Sequence, residues 1–215
     1  MSETDSLRSQ LKHLSLHTMA QLFEQEALKA AKSEMSYTAF LARLVEEELA
    51  AKTDRSVNAH LSRARLPLLR TLEEFDFNFQ PGLSAGRLRE LATLGFLGRA
   101  ENILFVGRPG VGKTHLSIGL AVRACQARKR VLFTSALSLL ESLLAAEVSR
   151  SLGKTIENLG RLDLLVVDEL GYTPIDAHQA NLFFQLVSHM YTRTSMIVTS
   201  NLTFDAWGAS SVAMR

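Results

Sequence analysis

The sequence predicts an α/β protein in which a parallel sheet flanked by helices follows a small all-helical domain. After residue 102, short apolar runs alternate with amphipathic helical stretches, whereas residues 1–65 show helical spacing throughout. Continuous runs of Val, Ile, Leu and Phe between helices are typical of parallel strands that are buried on both faces. We therefore expect a helical domain at 1–65, a connecting segment with a helix at 66–101, and an α/β core at 102–215.

The N-terminal domain is predicted from two apolar stripes. The first contains Leu7, Leu11, Leu14 and Leu22. The second follows a candidate N-cap at Ser36 and contains Phe40, Leu41, Leu44, Val45 and Leu49. Thr53 or Asp54 is a candidate N-cap for a third helix, which would end before Pro67 because proline disfavours helix in the residue before it.

The connecting segment contains alternating phenylalanines, Phe75, Phe77 and Phe79, a pattern typical of extended chain. These rings could form a hydrophobic latch or stack on a nucleotide base, and the sequence leaves both open. A helix is predicted from Ala85 to Leu94, with Gly95 as its C-terminal stop.

The core is predicted to contain strands at 103–106, 131–134, 164–168 and 196–200. The helical stretches between them are 113–127, 136–148 and 176–191.

The composition is that of a globular protein, because 47% of its 215 residues are hydrophobic and 21% are charged. A single cysteine, Cys125, excludes an internal disulfide and a thiolate zinc site. The sequence has neither a secretory signal pattern nor an apolar run near the ~20 residues that span a bilayer. We expect a cytoplasmic protein with no membrane partner.

A net charge of +2 does not by itself indicate a nucleic-acid partner. A local basic stretch is more suggestive, with only Asp54 as an acidic residue among its charges. It contains Lys52, Arg55, Arg63, Arg65 and Arg70. A solvated helix face and a DNA contact are both consistent with it.

A phosphate-binding loop follows the first predicted strand, in the sequence GRPGVGKT. Its glycines allow backbone N–H groups to approach phosphate oxygens, and the following helix N-terminus favours negative charge. Lys113 could reach the β- and γ-phosphates of ATP, and the Thr114 hydroxyl could bind Mg²⁺. The predicted nucleotide-binding residues are Gly107, Arg108, Pro109, Gly110, Val111, Gly112, Lys113, Thr114 and His115.

The third predicted strand ends in two adjacent carboxylates, Asp168 and Glu169. Ligands bind at the carboxyl ends of parallel strands, so Asp168 is predicted to hold Mg²⁺ through water and Glu169 to polarise an attacking water. A base beside the metal site favours hydrolysis over phosphate transfer. Asn201, after the fourth strand, could orient that water or contact the γ-phosphate.

The segments GRPGVGKTHL, LLVVDELGY and IVTSNLTFDAW, preceded by RARLPLLRTLEEFDF, resemble the IstB-like ATP-binding family over nearly the whole chain. Members are AAA+ P-loop ATPases that assist transposases of insertion sequences and are related to helicase loaders. The resemblance implies ATP-dependent assembly of a homo-oligomer on double-stranded DNA and a transposase partner. It also implies the Walker A loop at Gly107 to Thr114, Walker B acids at Asp168 and Glu169, and a sensor at Asn201.

Two alternatives stay open: a helicase loader or replication-initiation ATPase, and an ATP-binding protein with little turnover. Family members continue beyond the TSN strand into an inter-subunit arginine and a last strand, whereas this sequence ends at Met214–Arg215. We therefore expect ATP binding with slow hydrolysis, because an arginine at the γ-phosphate contributes about 10³–10⁵ in rate. Arg193 is the one cation near the sensor strand that could substitute.

Overall fold

The computed structural model of the protein describes residues 2–76, 84–172 and 174–202. The chain divides by its contacts into two compact units, residues 1–58 and 59–215. The division falls within a helix, whereas the sequence places the domain boundary at residue 65. None of the helices in the described ranges is long and apolar enough to cross a bilayer.

The first unit contains helix α1 (Glu3–His13), helix α2 (His17–Lys32) and most of helix α3 (Tyr37–Arg63). Ser2 and Asp5 form a capping box that begins α1. The chain turns at Ser15, whose φ of 59° lies in the left-handed region. The predicted stripe that continued through Leu14 is therefore wrong, and the Leu14 side chain is 65% exposed.

Helix α3 is one continuous helix of 27 residues, so the predicted third helix starting at Thr53 or Asp54 is wrong. Neither Gly nor Pro interrupts α3, and Arg55 donates a hydrogen bond to Glu48 across the expected break. The apolar cluster of this unit contains Met19, Phe23, Leu44 and the partly buried Phe40. The other members of the predicted second stripe, Leu41, Val45 and Leu49, are exposed.

The connecting segment leads into helix α4 (Ala85–Ala92) and the short helix α5 (Gly95–Gly98). Leu94, with φ 62°, adopts the left-handed conformation predicted for Gly95, and Gly95 instead begins α5. This turn places Phe96 in the main core, where it is 3% exposed. The predicted roles of Phe77 and Phe79 lie outside the described residues.

The second unit is built on a parallel sheet of strands β1 (Ile103–Val106), β2 (Val131–Ser135), β3 (Leu164–Leu170) and β4 (Ser195–Ser200). In space the strands lie in the order β1-β4-β3-β2. The helices of the sheet layers are α6 (Lys113–Gln126), α7 (Ala136–Val148), α8 (Leu152–Leu159) and α9 (Ala177–Met190). The predicted α/β class with a parallel sheet is confirmed. Among the described helices of the second unit, α5 and α8 are the ones that the sequence prediction missed.

Both faces of the sheet are covered. Leu164 and Val166 of β3 pack in the cluster that contains α6, whereas Leu165 and Val167 pack in the cluster that contains α7 and α9. Side chains alternate between the faces of a strand, so this burial explains the continuous apolar sequence of β3. The carboxyl ends of all these parallel strands meet at one edge of the sheet, where the polar motifs lie.

Candidate functional site

The glycine-rich loop connects β1 to α6, as predicted. Gly110 and Gly112 have φ values of 79° and 90°, a region that residues with a Cβ rarely adopt. A Cβ on Gly112 would also lie 2.7 Å from Cε2 of Phe75. Gly112 is therefore required both for the turn into α6 and for the close approach of the Phe75 ring.

Gly107 has a different role from the other two glycines. Its N–H donates a hydrogen bond to the carbonyl of Ser200 and so extends the pairing of β1 with β4. The Gly107 amide is therefore engaged by the sheet, and the binding of nucleotide by Gly107 stays a prediction. The carbonyl of Gly107 instead accepts a hydrogen bond from Lys113.

Lys113, the first residue of α6, folds back over the loop. Its Nζ lies 2.7 Å from the carbonyl oxygen of Gly107 and 2.9 Å from that of Arg108. Burial lowers the pKa of Lys113, and the nearby carboxylates of Asp168 and Glu169 oppose that shift. The ammonium is thus held inside the loop, where the charge of an anionic ligand would offset part of the cost of its desolvation.

Asp168 lies at the end of β3 and is 8% exposed. The Thr114 hydroxyl donates to its carboxylate, at 3.1 Å from each oxygen. A hydroxyl and a carboxylate at the mouth of the loop form an oxygen donor set that suits Mg²⁺. No cluster of three or more His, Cys, Asp or Glu side chains in the described ranges could hold a metal on its own. The donor set therefore fits a magnesium ion that takes its remaining ligands from phosphate and water.

The sheet is irregular where the two acids lie. The register between β3 and β4 shifts between Val167 and Leu170, and Glu169 has a φ of 63°. Adjacent residues of a regular strand point to opposite faces, and a bulge re-aims one of them. Asp168 meets the loop through Thr114, and Glu169 lines the cavity above the loop.

That cavity has a volume of about 450 Å³ and is bounded by all three motifs. Its lining residues are Pro109, Gly110, Gly112, Lys113, Thr114, Glu169, Tyr172, Thr199 and Asn201. The structure thus brings Asn201 and Glu169 to the phosphate loop. The predicted residues Arg108, Val111 and His115 do not line this cavity, and the Arg108 side chain is exposed.

A second cavity of about 490 Å³ shares Gly112 and Thr114 with the first. His115 lies here: its ring meets Phe75 edge-on at 5.5 Å, and its Nε2 is 2.8 Å from the carbonyl oxygen of Thr71. The remaining lining residues are Leu68, Arg70, Glu74, Phe75, Asp76 and Ile118. Arg70, predicted to contact DNA, therefore borders this cavity, 3.5 Å from Glu74.

Thr199 is a residue of the site that the sequence prediction did not select. It is 1% exposed, and its hydroxyl contacts both acids. The feature of the sequence that could have identified Thr199 is its hydroxyl inside the apolar run of β4, two residues before Asn201. Such a buried polar group needs a partner.

The basic stretch is distributed over both units. In the first unit, Lys52 is exposed and Arg55 donates to the buried Glu48 at 3.0 Å. In the second unit, Arg63 and Arg65 are exposed, and neither forms an ion pair with another described residue. Lys52 likewise forms no ion pair with another described residue, and contact of the basic stretch with DNA stays a prediction.

Arg193 lies at the opposite end of the sheet from the site, so it does not fit the predicted role of substituting for the inter-subunit arginine at the γ-phosphate within its own chain. It precedes β4, whereas the site lies at the carboxyl end of this strand, around Thr199 and Asn201. The six residues of β4 span about 20 Å at ~3.3 Å per residue. Arg193 therefore cannot neutralise charge at the site of its own chain.

Comparison with known proteins agrees with this geometry. The model of the family described as IstB-like ATP binding protein matches residues 9–212. The chain is 42% identical over 210 residues to a protein of insertion sequence IS21 in Pseudomonas aeruginosa whose name ascribes ATP binding to it, with 97% of this chain and 77% of that protein covered. A similarly named protein of IS5376 in Geobacillus stearothermophilus is 37% identical, with 91% and 78% covered.

Among solved structures, AMPPCP-bound DnaA from Aquifex aeolicus superposes with a TM-score of 0.54 at 20% identity, covering 68% of this chain and 48% of DnaA. The replication initiator DnaA bound to AMPPCP and single-stranded DNA gives 0.53 at 19% identity, with 68% and 49% covered. These likenesses concern the fold, which is that of a P-loop AAA+ core. Together, the family match and the two insertion-sequence relatives show that the chain belongs to the IstB-like ATP-binding protein family.

Proposed function

We propose that the protein binds Mg·ATP in the cavity above the phosphate loop and hydrolyses it to ADP and phosphate. The observation that carries the proposal is the contact of Thr114 with Asp168, because it joins the end of the loop to the acidic end of β3. The cavity has a cation at its base and a carboxylate at its wall, Lys113 and Glu169. This is the arrangement that phosphoryl transfer to water requires.

Each group has a distinct role in this proposal. Lys113 turns from the carbonyl oxygens of the loop to the β- and γ-phosphates, and Thr114 and Asp168 hold Mg²⁺. The metal, when bound, offsets negative charge on the phosphate oxygens. Glu169, exposed at the cavity wall, accepts a proton from the attacking water, and the Asn201 amide orients that water.

The second cavity is a suitable place for the adenine base. It adjoins the first at Gly112 and Thr114, so a nucleotide with its phosphates on the loop can extend into it. Phe75 supplies an apolar ring there, and the side chains of Arg70 and Glu74 supply polar groups at the cavity border. This geometry supports stacking of a base on Phe75 in addition to the ring's contact with Gly112.

We further propose that ATP binding drives assembly of several copies of the chain on double-stranded DNA, in partnership with a transposase. The names of the relatives place them in insertion sequences, mobile elements whose movement requires a transposase. Arg63 and Arg65 are exposed and form no ion pair with another described residue, so they can supply positive charge for phosphate contacts. A transposase gene adjacent to the gene of this protein would support this role over replication initiation.

The decisive experiment compares wild type with Glu169→Gln, which keeps the size of the side chain but removes the base. ATP binding should be unchanged within about twofold, while hydrolysis falls by at least about 100-fold. Glu157→Gln is the matched control, because Glu157 is an exposed glutamate on α8 that pairs with Arg161. The proposed ATPase site would be overturned if wild type and Glu169→Gln hydrolysed ATP at the same rate. It would also be overturned if Mg²⁺ did not strengthen the binding of ATP to wild type.

A further inference from the structure

The hydroxyl of Thr199 connects the two acids of the candidate site. It donates a hydrogen bond to Oδ1 of Asp168 at 2.5 Å and accepts one from the N–H of Glu169 at 2.8 Å. Thr199 is 1% exposed, so water does not compete for these bonds. A single oxygen therefore contacts the carboxylate of one acid and the backbone of the other.

The strand register explains why this backbone amide needs such a partner. Val167 lies opposite Val198, and Leu170 lies opposite Ser200. Asp168 and Glu169 therefore share one opposing residue, Thr199. The extra residue of a bulge leaves the regular ladder of hydrogen bonds. The Thr199 hydroxyl accepts a hydrogen bond from the Glu169 amide, which the ladder leaves without a backbone partner.

The conformation of Glu169 makes this bond more consequential. Its φ of 63° is left-handed, a conformation that is unfavourable for a residue with a Cβ. Surrounding contacts must hold such a residue in place. The N–H of Glu169 donates a hydrogen bond to the hydroxyl of Thr199, and the carbonyl of Glu169 accepts one from the N–H of Tyr172 at 3.2 Å. Loss of either bond would allow the backbone of Glu169 to relax and its carboxylate to move.

We propose that Thr199 is a positioning residue for ATP hydrolysis, which sets the direction of the Asp168 carboxylate and holds Glu169 in its bulge. This inference rests on the proposed function and adds a group that the Walker motifs and Asn201 do not include. The role needs a side chain that donates and accepts at the same atom. Serine meets that requirement, whereas valine matches the shape of threonine without either capacity.

The test compares Thr199→Val and Thr199→Ser with a matched control, Thr194→Val. Thr194 immediately precedes β4, at the end of the strand away from the site. It is 2% exposed and donates a hydrogen bond from its hydroxyl to the carbonyl of Gly160 at 3.0 Å. Thr199→Val should lower kcat at least about tenfold, with ATP affinity in EDTA unchanged within about twofold. Thr199→Ser should restore kcat to within about threefold of wild type. Thr194→Val should lower the melting temperature and leave kcat unchanged.

Two readouts do not depend on turnover. In Thr199→Val, the Glu169 amide should exchange with solvent faster than in wild type, and Mg²⁺ should strengthen ATP binding less. These readouts would decide the role of Thr199 even if wild type proved inactive, an outcome that would refute the proposed hydrolysis alone. The inference would be overturned if amide exchange and the Mg²⁺ dependence of ATP binding were unchanged in Thr199→Val. It would also be overturned if Thr199→Ser failed to restore these two properties, or if Thr194→Val changed them as much as Thr199→Val.

Discussion

The Thr114 hydroxyl donates to both carboxylate oxygens of Asp168 at 3.1 Å, across 54 residues of sequence. This contact joins the first turn of α6 to the end of β3, and it places a metal-binding hydroxyl beside a metal-binding carboxylate. It also partners a carboxylate that is 8% exposed, which lowers the cost of burying its charge.

The first prediction concerns that contact. Thr114→Val should abolish the strengthening of ATP binding by Mg²⁺, because it removes a metal ligand and a hydrogen-bond donor to Asp168. Binding in EDTA should change by no more than about threefold, since the loop amides and Lys113 remain. Calorimetric titration with and without Mg²⁺ measures both values. Thr114→Ser serves as the control and should behave as wild type; an intact Mg²⁺ effect in Thr114→Val would contradict the site.

A second prediction separates ligand binding from stability at Lys113. Its pKa is lowered mainly by burial, so the charged form costs folding free energy at every pH below that pKa, and this cost disappears as pH rises past the unfolded value of 10.5. At pH 7, Lys113→Met should therefore melt no lower than wild type in the absence of nucleotide. It should lose the stabilisation of about 2.7 kcal/mol that ATP at a hundredfold excess over its Kd gives.

Thermal denaturation with and without Mg·ATP measures this. Lys154→Met, at an exposed lysine of α8, is the control and should keep the ATP-dependent shift. A strongly destabilised Lys113→Met, or one that ATP still stabilises, would show that the ammonium has a structural role instead.

The third prediction compares two glycines of the loop. Alanine at either position must adopt a left-handed φ, at roughly 1–2 kcal/mol. At Gly110 a Cβ would meet open space, whereas at Gly112 it would meet the Phe75 ring at 2.7 Å. Gly112→Ala should therefore reduce the free energy of unfolding and ATP affinity more than Gly110→Ala. Urea denaturation and nucleotide titration provide the comparison, and equal losses would mean that the Phe75 ring moves freely.

The fourth prediction uses Cys125, which is fully buried in α6, where burial raises the pKa of its thiol to about 11. The native thiol should react with a disulfide reagent at pH 8 at least about 100-fold more slowly than the unfolded one, since reaction requires opening. A raised pKa contributes stability that is present below the unfolded value of 9.0 and lost as pH rises through about 11.

The stability difference between wild type and Cys125→Ala should consequently narrow over that range of pH. Rapid labelling of the native protein, or a difference that does not change with pH, would contradict the burial of this residue.

A fifth prediction concerns DNA. The double variant Arg63→Gln, Arg65→Gln should bind duplex DNA more weakly and with a shallower dependence on salt, by about 0.9 in the log–log slope for each lost phosphate contact. Fluorescence anisotropy across a salt series measures both quantities. Arg150→Gln with Lys154→Gln, two exposed cations around the start of α8, is the charge-matched control. The same loss in both double variants would indicate a nonspecific effect of net charge.

The local features of the protein were determined by the sequence alone. Apolar runs bounded by helical stretches place β1 to β4 to within a few residues, because burial on both faces leaves a continuous signal. The phosphate loop is equally local, since a tight turn between a strand and a helix requires glycines at fixed spacing. Asp168 and Glu169 could be identified as candidate site residues because two adjacent carboxylates at the end of a buried strand are costly to desolvate unless a ligand or partner offsets that cost.

Only the tertiary structure decided how these groups face one another. Residues of a strand alternate in direction, and nothing local marks the bulge that brings Glu169 to the cavity beside Thr114. The buried Thr199 became recognisable through its contacts with β3, 30 residues or more away in sequence. Arg193, near Asn201 in the sequence, is kept from the site by the length of β4. Direction and distance across a sheet depend on pairing between strands, which the order of residues along any one strand does not encode.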